Sequence, residues 1–364
     1  MYLMNPASLP PAQPGRGINV SPGNRFERFH LEYDPEVAPD AQEEDVIEPK
    51  RETKFYRDDT ASVISSNQSP DIGFDKSLNP YRGCEHGCAY CYARPTHEYL
   101  GFSAGLDFES RIVVKARAPE LLRRELARPG WKPQVLAMSG VTDCYQPIER
   151  KLRITRGCLE VLADCRNPVS IITKNHLVTR DVDLLGEMAA YRAAHVCLSI
   201  TTLDANLARI LEPRASRPSH RLRALQTLHK AGVPVGVSVS PLIPGINDHE
   251  VPRVLEAVVA AGARTAFYLV LRLPLAVAPM FETWLEQHFP ERKAKVLGLI
   301  REMRGGRLNK SAFGERFAVD GGYARNLESM FAATCHRLGL NREHTPLSTA
   351  HFRRRQAGQL DLDL

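Results

Sequence analysis

Three cysteines fall within eight residues, Cys84, Cys88 and Cys91, in the run Gly83-Cys84-Glu85-His86-Gly87-Cys88-Ala89-Tyr90-Cys91-Tyr92. Three thiolates this close on one short loop suit a cubane iron–sulfur cluster, whose irons take cysteine sulfur. A four-iron cluster held by three cysteines leaves one iron open to a substrate or cofactor, as an open position separates catalytic from structural metal sites. The rival is a structural zinc ion completed by His86 or His97. Zinc favours two separated ligand pairs, and no second C-x2-C pair occurs in the chain. Of the remaining cysteines, Cys158 and Cys165 fall with Leu162 at helical spacing, Cys197 lies in an apolar strand and Cys335 stands alone. These four read as structural, and Cys144, Cys158 and Cys165 are too dispersed for a second cluster.

The elements that must position this loop read as alternating strands and helices. A strand around Ile72-Gly73-Phe74 is expected to deliver the cysteines. Pro119 opens a helix at its favoured first position, with Leu121, Leu122 and Leu126 on one side and Pro129-Gly130 ending it. Buried strands are expected over 134–138, 169–174, 195–200, 235–239 and 265–270. Helices are expected over 148–164, around Leu184, Leu185 and Met188, through Leu222, Leu225 and Leu228 to a Gly232 stop, and over 251–261. Near-continuous apolar strands separated by helices predict a parallel sheet covered by helices. With the strand before the cysteines this makes six βα units, short of the eight in a closed barrel. The predicted fold class is therefore α/β, a partial (β/α)6 TIM-like barrel. Chemistry in such barrels gathers at the carboxyl ends of the strands, where the cysteine loop falls.

Around the barrel, residues 1–50 are rich in Pro, Gly and acids without apolar periodicity, which predicts a flexible arm, disordered or extended. Within it Gly15-Arg16-Gly17 and Asn24-Arg25-Phe26-Glu27-Arg28 are candidates to dock locally. The barrel is expected over 51–275, with the cluster loop at 84–91. Residues 276–364 are expected to add helices (Phe281, Trp284, Leu285; then Val296, Leu297, Ile300, Met303), an irregular cap and a tail. At 364 residues, 43% hydrophobic and 25% charged, the chain can bury a sizeable core. No apolar stretch reaches bilayer length and the start lacks a signal's apolar core, so no membrane partner is expected. Clustered thiols then point to a reducing cytoplasm. The net charge of +6 permits a nucleic-acid partner without demanding one.

The C-x3-C-x2-C spacing, with Tyr90 before Cys91, resembles the signature of the radical S-adenosylmethionine (radical SAM) superfamily. Several runs are similar to spore photolyase and the bacterial proteins labelled DNA-repair-photolyase-like: Tyr90-Cys91-Tyr92, Thr142-Asp143-Cys144-Tyr145-Gln146-Pro147-Ile148-Glu149, Leu211-Glu212-Pro213-Arg214, Ser69-Pro70-Asp71-Ile72-Gly73-Phe74 and Arg94-Pro95-Thr96-His97. The resemblance covers roughly residues 15–340 and itself implies the partial barrel. It implies a [4Fe-4S] cluster on Cys84, Cys88 and Cys91 whose open iron chelates S-adenosylmethionine. Reductive cleavage would then yield a 5'-deoxyadenosyl radical that abstracts hydrogen from a substrate, with the protein supplying position and electrostatics.

By the same resemblance, Ser139-Gly140-Val141-Thr142-Asp143 stands where the family holds the methionine amino group, although the familiar Gly-Gly-Glu is absent. Lys174 is a candidate for the methionine carboxylate, and Ser199 and Thr201 for the ribose hydroxyls. Gly245 and Ile246, in Pro244-Gly245-Ile246-Asn247, match the adenine-contacting stretch, and Tyr90 should bring its backbone near the adenine. Cys144 is a candidate hydrogen donor, since a thiol S–H can quench a carbon radical; the competing reading is an inert half-buried thiol. A low-potential electron donor of the flavodoxin or ferredoxin type is implied, and a monomer or weak dimer is expected. The substrate class stays open: nucleic acid leads by analogy, and a protein or small molecule follows. Basic tracts at 111–117, Arg123-Arg124, 214–223 and 353–355 can line a nucleic-acid path, but solvated helix faces account for them equally well. A zinc-stabilised, non-enzymatic nucleic-acid-binding protein is the alternative function.

Overall fold

The computed structural model describes residues 15–27, 52–342 and 346–355. Ten strands follow in chain order: β1 (Lys54–Arg57), β2 (Ile64–Ser66), β3 (Lys76–Leu78), β4 (Tyr81–Arg82), β5 (Arg111–Val114), β6 (Leu136–Met138), β7 (Val169–Thr173), β8 (Ala194–Ser199), β9 (Val235–Leu242) and β10 (Thr265–Val270). The main sheet runs β10-β9-β8-β7-β6-β3-β2. Its first six strands are parallel, and β2 adds an antiparallel edge. β10 and β2 form the two edges and do not pair, so the barrel is open, as the count of six units implies. A small sheet, β1-β5-β4, stands beside the cysteine loop.

The helices are α1 (Leu106–Ser110), α2 (Ala118–Ala127), α3 (Glu149–Leu152), α4 (Ile154–Cys165), α5 (Val182–Ala190), α6 (Ala205–Leu211), α7 (Pro218–Lys230), α8 (Val251–Ala260), α9 (Val277–His288), α10 (Pro290–Met303) and α11 (Gly322–Leu338). Alternate strand residues such as Val169, Ile171, Val196, Leu198, Val235 and Val237 pack with helix residues such as Leu159, Leu162, Leu225, Leu228 and Leu255 in one apolar core. The other face of the strands lines the barrel. Register places Ile172 beside Cys197, Cys197 beside Gly236, Ser199 beside Ser238, and Ser238 beside Phe267. Cys197, Ser199, Gly236 and Ser238 are small, and Ile172 and Phe267 beside them are 39% and 42% exposed although they lie mid-strand. A parallel sheet normally buries both faces. Among the described residues the other face is partly exposed at Ile172 and Phe267.

Several sequence expectations move. The expected strand at 72–74 lies in a turn, since Asn67 closes 67–75 through its bonds to Phe74 O and Asp75 O; the first barrel strand is β3, and the short β4 follows it into the cysteine loop. The helix expected over 148–164 breaks at Arg153, whose φ of 55° is left-handed. α11 replaces part of the irregular cap, and its Phe331 and Cys335 join the main core. Residues 15–27 are docked rather than loose, with Ile18 and Asn24 buried; Arg28 lies outside the described residues. Cys158 and Cys165 are core, as their spacing predicts.

Candidate functional site

The cysteine loop leaves β4 through Gly83 (φ 78°) and turns again at Gly87 (φ 67°), both in the left-handed region that favours glycine. A side chain at Gly83 would meet His97 and Phe108 O at 3.0 Å. The loop is stapled from several sides. Cys84 N donates to Phe108 O (2.9 Å) and Ala89 N to Leu211 O (3.0 Å). The buried Gln146 accepts from Glu85 N (2.9 Å) and donates to Gly83 O and Thr142 Oγ1. Glu85 accepts from Ile148 N (2.7 Å) and pairs with Arg214 (2.8 Å).

Cys84 and Cys88 are buried and Cys91 is half-buried, all three as free thiols. Burial pushes each thiol up, and Cys84 is raised further by Asp143, Cys88 and Cys91. Lys174 and Arg221 pull Cys88 back, and Arg94 and Lys174 pull Cys91 back. The loop therefore offers three mutually repelling sulfurs with cations beside two of them. Such a donor set fits thiolates that bind an iron–sulfur cluster. Among the described residues no three His, Cys, Asp or Glu side chains converge on a single-ion site.

The strand ends close over the loop. Lys174, just past β7, donates from Nζ to Ser199 Oγ (2.8 Å) and lies 5.8 Å from the Tyr90 ring centre. Ser199 donates on to Ser240 O (3.1 Å). Beneath them sits a buried network that joins the expected Thr201 and Tyr90 to Glu212 and Arg221, an ion pair that sequence reading did not single out. Glu212 accepts from Thr201 Oγ1 (2.6 Å), Tyr90 OH and Arg221, and Arg221 also donates to Ser199 O (2.8 Å) and Ser216 O (2.7 Å). Burial alone would raise the Glu212 carboxyl, yet Arg221, Lys174 and the two hydroxyls bring it down to about 2. Asn247 completes the support, donating to Thr201 O (2.8 Å) and accepting from Ile243 N (2.7 Å).

Other expected site residues have different surroundings. Asp143 spends both oxygens internally, on Thr173 Oγ1 (2.8 Å), Tyr145 N (2.8 Å) and Lys174 N (2.9 Å), with His86 Nδ1 at 3.4 Å. Burial raises its carboxyl, but His86 and these donors hold it at about 2. It ties the ends of β6 and β7 together. Ser139 adopts φ 82°, a strained value for a residue with a side chain, and its hydroxyl accepts from Cys144 N (3.0 Å). Gly140 O accepts from Tyr92 OH (2.6 Å). Ile246 packs with Cys88, Ala89 and Tyr90, whereas Gly245 turns toward α10 and lines a cavity of about 580 Å³ with Arg292, Lys295 and Tyr323. Cys144 departs most from expectation. Its side chain is 0% exposed and packs with the main core, and burial raises the thiol, with Asp143 and Ser139 beside it.

The model of the radical SAM superfamily matches residues 78–258, spanning β3 to α8. An uncharacterised protein of Mycobacterium tuberculosis is 36% identical over 232 residues, 63% of this chain and 68% of that protein. An uncharacterised protein of Methanocaldococcus jannaschii is 32% identical over 214 residues, 59% of this chain and 76% of that one. The chain belongs to the radical SAM superfamily. It is a radical SAM enzyme, and the family implies a [4Fe-4S] cluster, S-adenosylmethionine and a reducing partner. Its fold is also similar to that of spore photoproduct lyase complexed with dinucleoside spore photoproduct (TM-score 0.57, 15% identity, 79% of this chain and 80% of that chain). Among the described residues no helix of this radical SAM protein is long and apolar enough to cross a membrane.

Proposed function

We propose that Cys84, Cys88 and Cys91 hold the [4Fe-4S] cluster and that the enzyme acts on a nucleic-acid strand presented at the barrel mouth. When bound, the cluster and S-adenosylmethionine supply a 5'-deoxyadenosyl radical for hydrogen abstraction. The chain's own residues receive and orient the cofactor. Lys174 Nζ stands between the thiols and the β8 end, where a carboxylate gains a charge-assisted hydrogen bond. Tyr90 is fixed by Glu212, so the backbone beside Cys91 is preset. Ser199 keeps its hydroxyl at the mouth through Ser240 O. A flavodoxin- or ferredoxin-type donor supplies the electron.

The observation that carries the substrate reading is a ladder of arginines and aromatics. The Arg272 guanidinium, just past β10, lies 5.6 Å from the Tyr92 ring centre and 4.7 Å from that of Phe317. Arg316 lies 4.7 Å from the Phe313 ring centre. Tyr92 and Phe313 are 52% and 64% exposed, and Arg272 Nη1 is buried without a hydrogen-bond partner. Exposed rings interleaved with guanidinium planes suit base stacking and phosphate contact. Spore photoproduct lyase, whose fold this chain shares, is solved with a dinucleoside.

The test is fluorescence anisotropy of a labelled single-stranded oligodeoxynucleotide with anaerobically reconstituted enzyme and its Arg272→Ala variant. Binding that weakens about tenfold in the variant supports the reading. Absence of binding by the wild-type enzyme overturns the substrate class and leaves a protein or small-molecule substrate.

A further inference from the structure

Residues 15–27 run along the outer side of the cysteine loop, and the contact is too close for side chains. A Cβ on Gly17 would lie 1.5 Å from Gly87 O and 3.1 Å from Ala89 N. A Cβ on Gly87 would in turn lie 2.6 Å from Glu109 Oε2. Ile18 packs into one apolar cluster with Cys88, Ala89 and Tyr90. Farther along, Asn24 Nδ2 donates to Glu98 O (2.9 Å) and Phe102 O (3.1 Å), and Ser103 Oγ donates to Pro22 O (2.7 Å). This stretch forms a wall against the cysteine loop.

Glu109 and Arg94 join that wall to the cysteines. Both are fully buried and they form an ion pair. Glu109 accepts from Gly17 N (3.2 Å) and Ile18 N (3.3 Å). Arg94 donates to Cys88 O from Nε (3.1 Å) and Nη2 (2.9 Å), and to Gly105 O (2.9 Å). The same Cys88 carbonyl accepts from Cys91 N (3.3 Å). Thus two side chains run from the backbone of residues 17–18 to the carbonyl that spaces the second and third thiols. A buried charge pair left with one member missing is strongly destabilising, so the chain must keep this relay intact.

We propose that residues 15–20 are a strap sealing the outer side of the cluster loop, and that Glu109 and Arg94 are positioning residues through which the strap sets how firmly the cluster is held. The inference rests on the cluster assignment made above. Charge-assisted bonds to Cys88 O hold the loop backbone still, and the glycine-on-glycine contact denies water and dioxygen a path beside Gly87.

The test uses full-length, anaerobically reconstituted wild type, Gly17→Ala, Glu109→Gln and, as an exposed-surface control, Arg57→Ala, whose exposed partner is Asp59. Three quantities are measured: iron and sulfide per chain, the half-time of visible absorbance loss to a chelator in air, and the electron paramagnetic resonance spectrum of the reduced protein. The strap variants are expected to lose the cluster about tenfold faster than wild type, with shifted g-values, as disturbed outer-shell partners do at other metal sites. Arg57→Ala should match wild type. Glu109→Gln keeps the side chain's shape, so it remains informative if Gly17→Ala does not fold by circular dichroism. Wild-type half-times and spectra in a folded Glu109→Gln protein would overturn the strap proposal alone. A wild type that takes up no iron and sulfide would instead overturn the cluster assignment.

Discussion

Replacing Glu212 by Gln should expose how much the site depends on one buried carboxylate. Glu212 sits beside Arg221 with both side chains nearly inaccessible, and it also accepts from Tyr90 and Thr201. Its carboxyl is held at about 2 instead of the ordinary 4.5. At about 1.4 kcal/mol per pH unit, that gap corresponds to about 3 kcal/mol of stability. Leaving Arg221 buried without its counter-charge costs about 3–5 kcal/mol, a consistent figure. Because the folded-state value lies below the unfolded one, the contribution is complete above about pH 4.5 and is lost as the pH falls toward 2. Urea titration of cluster-free wild type and Glu212→Gln should therefore show a loss of about 3 kcal/mol at pH 7, narrowing by about 2 kcal/mol at pH 3. A loss below about 1 kcal/mol at pH 7, or a gap unchanged at pH 3, would refute the reasoning.

Lys174→Ala should leave iron and sulfide content intact while weakening S-adenosylmethionine binding about tenfold or more, read by equilibrium dialysis, since a hydrogen bond to a charged group is worth about 1.5–3 kcal/mol. Cys144→Ala should take up iron and sulfide as wild type does and cost only core packing, about 1 kcal/mol in urea; lost iron and sulfide at unchanged stability would contradict a purely packing role. Asp71→Asn should loosen residues 304–320, because Asp71 accepts from Gly314 N (2.8 Å) and pairs with Arg316 (2.8 Å) across the barrel opening. Faster proteolysis within that stretch checks it, and an unchanged cleavage pattern would count against the clasp.

The alternation of strands and helices was legible because the helix-facing side of each parallel strand is apolar. Val196 and Leu198 on β8 and Val235, Val237 and Val239 on β9 announce themselves. β3 was misplaced because Ile72 and Phe74 look like a strand, whereas two of the three residues that pair, Lys76 and Ser77, are polar. α11 lacks a side-chain cap and starts after Gly321 at φ 98°, so its beginning carries no recognisable start signal. The thiols were legible from spacing alone. The depth of Cys144 was not, because it depends on the Ser139 hydroxyl catching its backbone N–H and turning the thiol inward. Glu212 and Arg94 stood in sequence only as members of short matching runs, and Arg221 and Glu109 as ordinary charges; only the fold reveals that they pair in the interior.

The central claim is tested most directly by dithionite-reduced, anaerobic protein incubated with S-adenosylmethionine, with 5'-deoxyadenosine followed by chromatography and iron and sulfide counted. A variant with Cys84, Cys88 and Cys91 all replaced by Ala is run beside it. The account predicts cluster-dependent 5'-deoxyadenosine from the wild type and neither cluster nor product from the variant. Zinc in place of iron after anaerobic reconstitution, with no product, would contradict it.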